Sequence, residues 1–252
     1  MNITNKIDSV IERLVHKIGN SQALVPGFIL GLSGTDSIIA FEVLSRAMAI
    51  SSGRYGTPYR LLGVHYRSPD KKPGAFEREA LPWLKGRHGA AEIITATPLG
   101  GNHDPQRWAD LQLRALNTVQ STSSHDHVRA RDEEERYWVA GTINATEHAL
   151  GKHSVSANAV SIQPIRSLWK TDVLQACEAI GVPKIIIENA RIPDCLCGRD
   201  EIAAQHIELI DDILRHTIDV REHDPELLMM LMQWVANQKR ENGFRQRIPY
   251  IV

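Results

Sequence analysis

The hydrophobic positions along the chain predict helices and strands in alternation. Near the N-terminus, apolar residues recur with the i, i+3, i+4, i+7 spacing of one helix face, from Ile7 to Ile18. Residues 27–33 then form a short apolar run, GFILGLS, which predicts a buried strand. A second helix is expected directly after this strand, well covered by apolar residues and ending before Gly53.

Further strands and helices follow the same logic. Runs rich in apolar and β-branched residues predict strands at 60–66, 91–97 and 137–142. Helical patterns are expected at 170–180, 200–218 and 225–240. Strands that alternate with helices indicate a mostly parallel sheet with helices on both faces, the doubly wound α/β class. We expect one domain over residues 1–252, with a helical part from about residue 200.

Two long polar segments interrupt this pattern. Residues 68–89 and 98–127 are rich in Gly, Pro, Asp, Ser and His, and they predict loops. Loops of that length in a compact domain are functional lids or mobile segments.

Composition narrows the class of protein. The chain is 42% hydrophobic and 23% charged, with a formal net charge of −1, so nothing favours bulk binding to nucleic acid or to an anionic membrane. No apolar run approaches the ~20 residues that span a bilayer. The N-terminal stretch has no secretory hydrophobic region, and three cysteines in 252 residues argue against a disulfide framework. These features predict a cytoplasmic protein.

The turn after the first strand is the first candidate site. Backbone N–H groups converge where a strand ends and a helix begins, and the helix dipole favours an anion there, typically a phosphate. Gly34 permits close approach of the backbone, and the hydroxyls of Ser33, Thr35 and Ser37 add donors. Asp36 suits a phosphate site only where Mg²⁺ bridges the two. An ordinary strand-to-helix turn explains these five residues equally well.

The turn resembles the pyrophosphate loop S-G-G-x-D-S of the N-type ATP pyrophosphatases, which split ATP between its α and β phosphates, although it is one residue shorter. Later segments are similar to the ammonia-dependent NAD synthetases and follow that family's order. They are VRAR (128–131), VAGTINATEHALG (139–151), IQPIRSLWKTDVLQACEAIGVP (162–183) and FRQRIP (244–249). Each segment is weak alone, but the ordered set is specific.

The resemblance implies binding of ATP with Mg²⁺, and a homodimer. It places Glu147 at the family's metal-binding glutamate and Lys170 at its phosphate-binding lysine. The predicted catalytic residues are Asp36, Glu147 and Lys170, of which Asp36 and Glu147 are the predicted metal ligands. The residues predicted to bind ATP are Gly31, Ser33, Gly34, Thr35, Asp36, Ser37, Arg131, Thr142 and Lys170.

The implied reaction adenylates a carboxylate, releases pyrophosphate and forms an amide with ammonia. The family's carboxylate is deamido-NAD. Residues 152–161 read KHSVSANAVS, where the family has a K-Y-G-D-G-G-like loop, so a different small-molecule carboxylate is the main alternative. Cys195 and Cys197 suggest a further alternative, adenylation followed by sulfur transfer. The shortened turn suggests another, a degenerate homologue that only binds a nucleotide.

Several of these residues also have structural explanations. Glu147 and Lys170 fit an ordinary helix surface, and Arg131 precedes an acidic run with which it can pair within a helix. The two cysteines fit small packing residues in a loop. His125 and His127 lack a third ligand at a recognisable spacing and are better explained as part of a polar loop than as a metal site.

Overall fold

A computed structural model describes residues 2–20, 27–56, 59–67, 72–98, 104–120, 137–193 and 200–246. The strands are β1 (Phe28–Leu32), β2 (Leu61–Tyr66), β3 (Glu92–Ala96) and β4 (Trp138–Val139). The helices are α1 (Ile3–Asn20), α2 (Thr35–Tyr55), α3 (Leu81–Arg87), α4 (Asp104–Gln120), α5 (Ala145–Leu150), α6 (Lys170–Ile180), α7 (Lys184–Asn189), α8 (Glu201–Gln205), α9 (Ile207–Arg215) and α10 (Pro225–Asn242). Among the described residues, no helix has the length and apolarity needed to cross a membrane.

The strands form one parallel sheet in the order β3-β2-β1-β4. The chain moves outward from β1 to β3 on one side and then returns to place β4 on the other side of β1. In open α/β sheets, this reversal leaves a crevice at the carboxyl ends of the two central strands, where ligands bind. The crevice here lies beyond the ends of β1 and β4.

Helices cover both faces of the sheet, which confirms the predicted doubly wound class. Phe28, Leu30 and Leu32 of β1 pack with apolar residues of α1, α2 and α6 on one face. Ile29 points to the other face and packs with Leu111 of α4. Side chains on both faces of β1 therefore pack against apolar residues, which explains why the strand is apolar along its whole length.

The predicted end of α2 before Gly53 is wrong. The helix continues to Tyr55 and ends at Gly56, which has the left-handed φ of 68° that suits glycine. Tyr55 packs so closely on Gly19 of α1 that a Cβ at Gly19 would lie 2.6 Å from its ring. This contact with α1 explains why the last turn stays helical despite the Ser-Ser-Gly sequence.

The prediction of two loops without secondary structure is also wrong. Within 68–89, Phe76–Ala80 forms a π-helical turn that leads into α3. Within 98–127, α4 occupies 104–120, and its buried residues Leu111 and Ala115 have helical spacing. The polar composition of both segments predicts loops, because each helix buries only a narrow stripe of apolar residues. The remaining residues of 121–127 lie outside the described part of the chain.

Two other predicted elements are shorter than expected. The strand at 137–142 is reduced to Trp138–Val139, because Gly141 packs against Gln163 and the chain turns away from the sheet. The helix expected at 200–218 is two helices, α8 and α9, which meet at His206. The helices predicted at 170–180 and 225–240 are confirmed, the second ending two residues later.

A buried ion-pair network holds α3 against α2. The Glu42 carboxylate, in a residue only 4% exposed, accepts bonds from the Arg87 guanidinium at 3.0 and 3.1 Å and lies 2.9 Å from His88 Nε2. His88 Nδ1 in turn lies 2.9 Å from the Ser45 hydroxyl. Burial alone raises the pKa of Glu42, but the bonds from His88 and Arg87 outweigh it and lower the pKa to about 2.

We expect Glu42→Gln to lower the free energy of unfolding at pH 7 by about 3 kcal/mol, because the Arg87 charge loses its buried partner. Because the folded-state pKa is depressed, this contribution is full above the unfolded pKa of 4.5 and is lost as the pH falls toward 2. Urea unfolding at pH 7, 4 and 3 measures it. Glu12→Gln, which changes an exposed glutamate 3.6 Å from Arg54, is the matched control and should change stability by less than about 1 kcal/mol. Equal losses in both variants would contradict this account.

Candidate active site

The crevice brings together residues from three separate segments. Asp36 lies in the first turn of α2, and Asn144 lies on the chain that leaves β4. The Asn144 side-chain amide donates to Asp36 Oδ1 at 2.7 Å. Lys170, the first residue of α6, donates through Nζ to Thr35 Oγ1 at 2.9 Å and forms an ion pair with Asp36 Oδ2. The Asp36 carboxylate therefore binds the Asn144 amide through one oxygen and the Lys170 ammonium through the other.

Lys170 is fixed by a buried network behind it. Its backbone N–H donates to the Thr146 hydroxyl at 2.9 Å, and that hydroxyl donates to the fully buried carboxylate of Asp211. Asp211 also accepts from the Thr171 N–H at 2.9 Å and from its hydroxyl at 2.8 Å. Burial raises the pKa of Asp211 despite these bonds. The network ties α5, α6 and α9 together and leaves little freedom for the start of α6.

Glu147 belongs to a capping box at the start of α5. Its N–H donates to Asn144 Oδ1 at 2.9 Å, and its Oε2 accepts from the Asn144 N–H at 3.3 Å. The Asn144 side chain therefore lies between the two predicted metal ligands, Asp36 and Glu147. The spacing Asn-x-x-Glu is the sequence signal that reveals this cap.

The turn after β1 is closed by Ser37. Its buried hydroxyl accepts from the N–H groups of Ser33 and Gly34 at 2.9 and 3.0 Å and donates to the Gly34 carbonyl at 2.8 Å. Both amides therefore have an acceptor within the turn itself. The assignment of Ser33, Gly34 and Ser37 to ATP binding stays a prediction.

Gly31 and Gly34 both lie beside open space, since a Cβ built on either would have no atom within 4 Å. Gly31 lines a cavity of about 110 Å³ that also involves Ser33, Thr142, Tyr66 and Trp108. The cavity is on the α4 side of the sheet at the end of β1. Burial raises the pKa of the Tyr66 hydroxyl, as does the nearby Asp110 carboxylate, so the phenol stays protonated at neutral pH.

A second cavity, of about 70 Å³, lies between α5, α6 and α8, against Glu147 and Lys170. Its walls are mainly apolar, from Leu174 of α6 and from Ala203 of α8 among others. The Lys152 ammonium at its rim pairs with Asp200 at 2.8 Å.

The structure thus brings Asp36, Thr35, Lys170 and Glu147 together, and places Gly31, Ser33 and Thr142 around the neighbouring cavity. Outside the described residues lie Arg131, the VRAR segment, Cys195, Cys197 and the two histidines of 125–127. The sequence analysis does not identify Asn144, Asp211 or the two aromatic residues Tyr66 and Trp108 that line the first cavity. Only Asn144 had a clear signal, the capping-box spacing.

The residues present fit a magnesium ion that is shared with phosphates. Hard carboxylate oxygens suit Mg²⁺, which is held by one or two carboxylates together with phosphate oxygens and waters. Asp36 and Glu147 meet this description through their common neighbour Asn144. Over the ranges that the structure describes, no group of three or more His, Cys, Asp or Glu side chains could hold a metal ion. A cage made only of protein ligands is therefore not seen in those ranges.

Sequence comparisons agree with this picture. A family model described as NAD synthase matches residues 128–249. An NH3-dependent NAD(+) synthetase from Trichlorobacter lovleyi is 30% identical over 122 residues, which are 45% of this chain and 44% of that protein. One from Thermococcus kodakarensis is 22% identical over 254 aligned positions, covering 96% of this chain and 94% of its own length. The stronger local match therefore spans less than half of the relative, and the full-length match is distant.

Structural comparisons extend the similarity over the whole chain. An NH3-dependent NAD synthetase from Campylobacter jejuni, solved with a nitrate ion, superposes with a TM-score of 0.63 at 18% identity and covers 100% of this chain and 99% of that one. An NMN synthetase from Francisella tularensis gives a TM-score of 0.64 at 17% identity with the same coverage. At such identities these structures establish a shared fold. Together with the sequence matches, they confirm the resemblance inferred from the motifs: the chain is similar to the ammonia-dependent NAD synthetases and diverges strongly from them in sequence.

Proposed function

We propose that this protein is an ATP-dependent ligase that transfers AMP to a carboxylate, releases pyrophosphate and forms an amide with ammonia. The observation that carries the proposal is the convergence of Asp36, Asn144 and Lys170 at the switch point of the sheet, with Glu147 in the adjoining cap. The relatives named NH3-dependent NAD(+) synthetases support the same chemistry.

We place ATP across the end of β1. Its nucleoside would lie at the mouth of the cavity beside Tyr66 and Trp108, where the missing side chain of Gly31 leaves room for close approach. Its phosphates then lie over the first turn of α2, toward Lys170, where the helix dipole favours negative charge. This orientation directs the α phosphate to the crevice and the β and γ phosphates to the ammonium group.

The residues present suit departure of pyrophosphate. A carboxylate is a poor electrophile, and its AMP anhydride carries a good leaving group, so the barrier depends on stabilising charge on the departing phosphates. The Lys170 ammonium is held by Thr35 and Asp36, and its backbone N–H by Thr146, so the ammonium needs little reorganisation as that charge develops. When bound, Mg²⁺ held by Asp36 and Glu147 supplies further positive charge at the phosphates. Ammonia then attacks the acyl carbon, AMP leaves, and the amide nitrogen loses a proton.

Deamido-NAD is the first candidate for the carboxylate, by analogy with the named relatives. The second candidate is the same reaction on a smaller carboxylate, nicotinate mononucleotide, because residues 152–161 depart from the family loop and the Francisella tularensis protein with this fold is an NMN synthetase. The homodimer, the cytoplasmic location and the role of Cys195 and Cys197 stay predictions, as do the sulfur-transfer and degenerate alternatives.

The test is amide formation from labelled ammonium. The protein is incubated with ATP, Mg²⁺, ¹⁵N-ammonium and either deamido-NAD or nicotinate mononucleotide, and the products are analysed by mass spectrometry. We expect one acid to give an amide carrying one ¹⁵N, only when ATP is present. Binding of ATP without a labelled amide from either acid would contradict both candidate substrates and favour the degenerate homologue or another acid.

A further inference from the structure

A basic cleft that shares no lining residue with the two cavities of the candidate active site lies between α1 and residues 162–167. It is open to solvent, has a volume of about 370 Å³, and has three cations on its walls: Arg13, Lys17 and Arg166. Among the residues that the structure describes, no acidic side chain lines it. The remaining wall is largely apolar, including Leu14 and Pro164. The volume is within the range of small-molecule sites, roughly 300–1,000 Å³.

The positive charges of the two α1 residues that face the cleft are not neutralised by acidic residues of the same helix. Arg13 and Lys17 are four residues apart and so lie on one side of the helix, a spacing at which like charges destabilise it. The acidic residues of the adjoining turns are engaged elsewhere, since Asp8 pairs with Arg46 at 2.8 Å and Glu12 lies 3.6 Å from Arg54. An anion in the cleft would relieve this repulsion.

Arg166 completes the positive surface from the opposite wall. Its guanidinium is partly buried, and this burial lowers its pKa. In the described part of the chain, no carboxylate forms an ion pair with Arg166, Arg13 or Lys17. The titratable groups whose pKa values Arg166 lowers are His148 and His153, which bring no negative charge.

We propose that the basic cleft binds a small phosphorylated organic molecule, at a site separate from Asp36 and Lys170. Two guanidinium groups offer paired N–H donors that match phosphate oxygens, and the lysine adds a point charge. The Ser167 hydroxyl accepts from Arg13 at 3.0 Å, which orients the guanidinium and leaves the hydroxyl hydrogen for the ligand. Three cations suit a dianionic phosphate better than a single carboxylate, and the apolar wall suits an organic group attached to it.

The test uses phenyl phosphate as the probe, with benzoate as a carboxylate of similar ring size and inorganic phosphate as the bare anion. Calorimetric titration is carried out on the wild type and on the double variant Arg13→Gln/Lys17→Gln. The matched control, Arg46→Gln/Arg54→Gln, also removes two positive charges. These two arginines lie outside the cleft and pair with acidic residues of α1. We expect phenyl phosphate to bind one for one, roughly tenfold or more weaker in the cleft variant, and with little change in the control.

Thermal unfolding without ligand separates binding from folding. The cleft variant should melt no lower than the wild type, because removing like charges four residues apart relieves repulsion. Phenyl phosphate should raise the melting temperature of the wild type and control more than that of the cleft variant. Equal affinities in wild type and cleft variant, or no saturable binding to wild type, would overturn the proposal. Benzoate binding as tightly as phenyl phosphate would overturn the assignment to a phosphate.

Discussion

Replacing Lys170 by methionine should lower the rate of pyrophosphate release from ATP by about a thousandfold. Lys170 is the cation that lies at Thr35 and Asp36 at the start of α2, and its backbone is fixed by Thr146 and by the neighbours of Asp211. Methionine has a similar length and apolar volume but no charge, so the change removes the stabilisation of departing phosphates. Single-turnover measurement of pyrophosphate gives the effect on chemistry directly.

The effect of Lys170→Met on the free energy of unfolding is measured separately from its effect on activity. Asp36 loses one partner, but it keeps the Asn144 amide at 2.7 Å, and its side chain is 19% exposed, so water can replace the lysine. We expect the stability to fall by about 2 kcal/mol, and the double variant Asp36→Asn/Lys170→Met to recover part of that loss. A folded Lys170→Met protein with unchanged turnover would contradict the role given to this lysine.

The substitution Glu147→Gln should separate the predicted metal role of Glu147 from its capping role. Glutamine accepts from the Asn144 N–H as glutamate does, so the cap and the stability of α5 should be retained. The loss of charge should lower turnover by roughly a hundredfold or more and raise the Mg²⁺ concentration needed for half-maximal rate. Steady-state rates over a range of Mg²⁺ concentrations measure both effects.

Glu147→Ala is the matched comparison. It removes the charge and the bond to Asn144 together, so it should lose the same activity and also about 1 kcal/mol of stability. If Glu147→Gln keeps wild-type turnover while only Glu147→Ala loses it, Glu147 acts through the cap and is not a metal ligand.

The fold was largely predictable because local signals agreed with the tertiary structure. The apolar run of β1 and the helical spacing on α1 correspond to residues that are buried in the core, so pattern and burial coincide. The sequence predicts the end of α2 before Gly53 because glycine disfavours a helix. The contact between Tyr55 and Gly19, which are 36 residues apart in the sequence, overrides this local preference. The break at His206 likewise has no strong local marker.

The candidate site was predictable only in part, because its residues come from distant segments. Asp36, Glu147 and Lys170 were identified through their motifs, but their connection through Asn144 depends on the crossing of the chain over the sheet. The cavity beside Trp108 was missed because α4 falls in a segment whose polar composition predicted a loop. The role of Ser37 in ATP binding stays a prediction, and its bonds to the Ser33 and Gly34 amides depend on a backbone geometry that the sequence of the turn does not specify.

The most direct test of the central claim is the identity of the phosphorus products. The protein is incubated with ATP, Mg²⁺, ammonium and the two candidate acids, and the reaction is followed by ³¹P NMR. Cleavage between the α and β phosphates predicts AMP and pyrophosphate in equal amounts, dependent on the acid and abolished in Lys170→Met. Formation of ADP and orthophosphate would contradict the adenylating mechanism, because the bond broken would then lie between the β and γ phosphates.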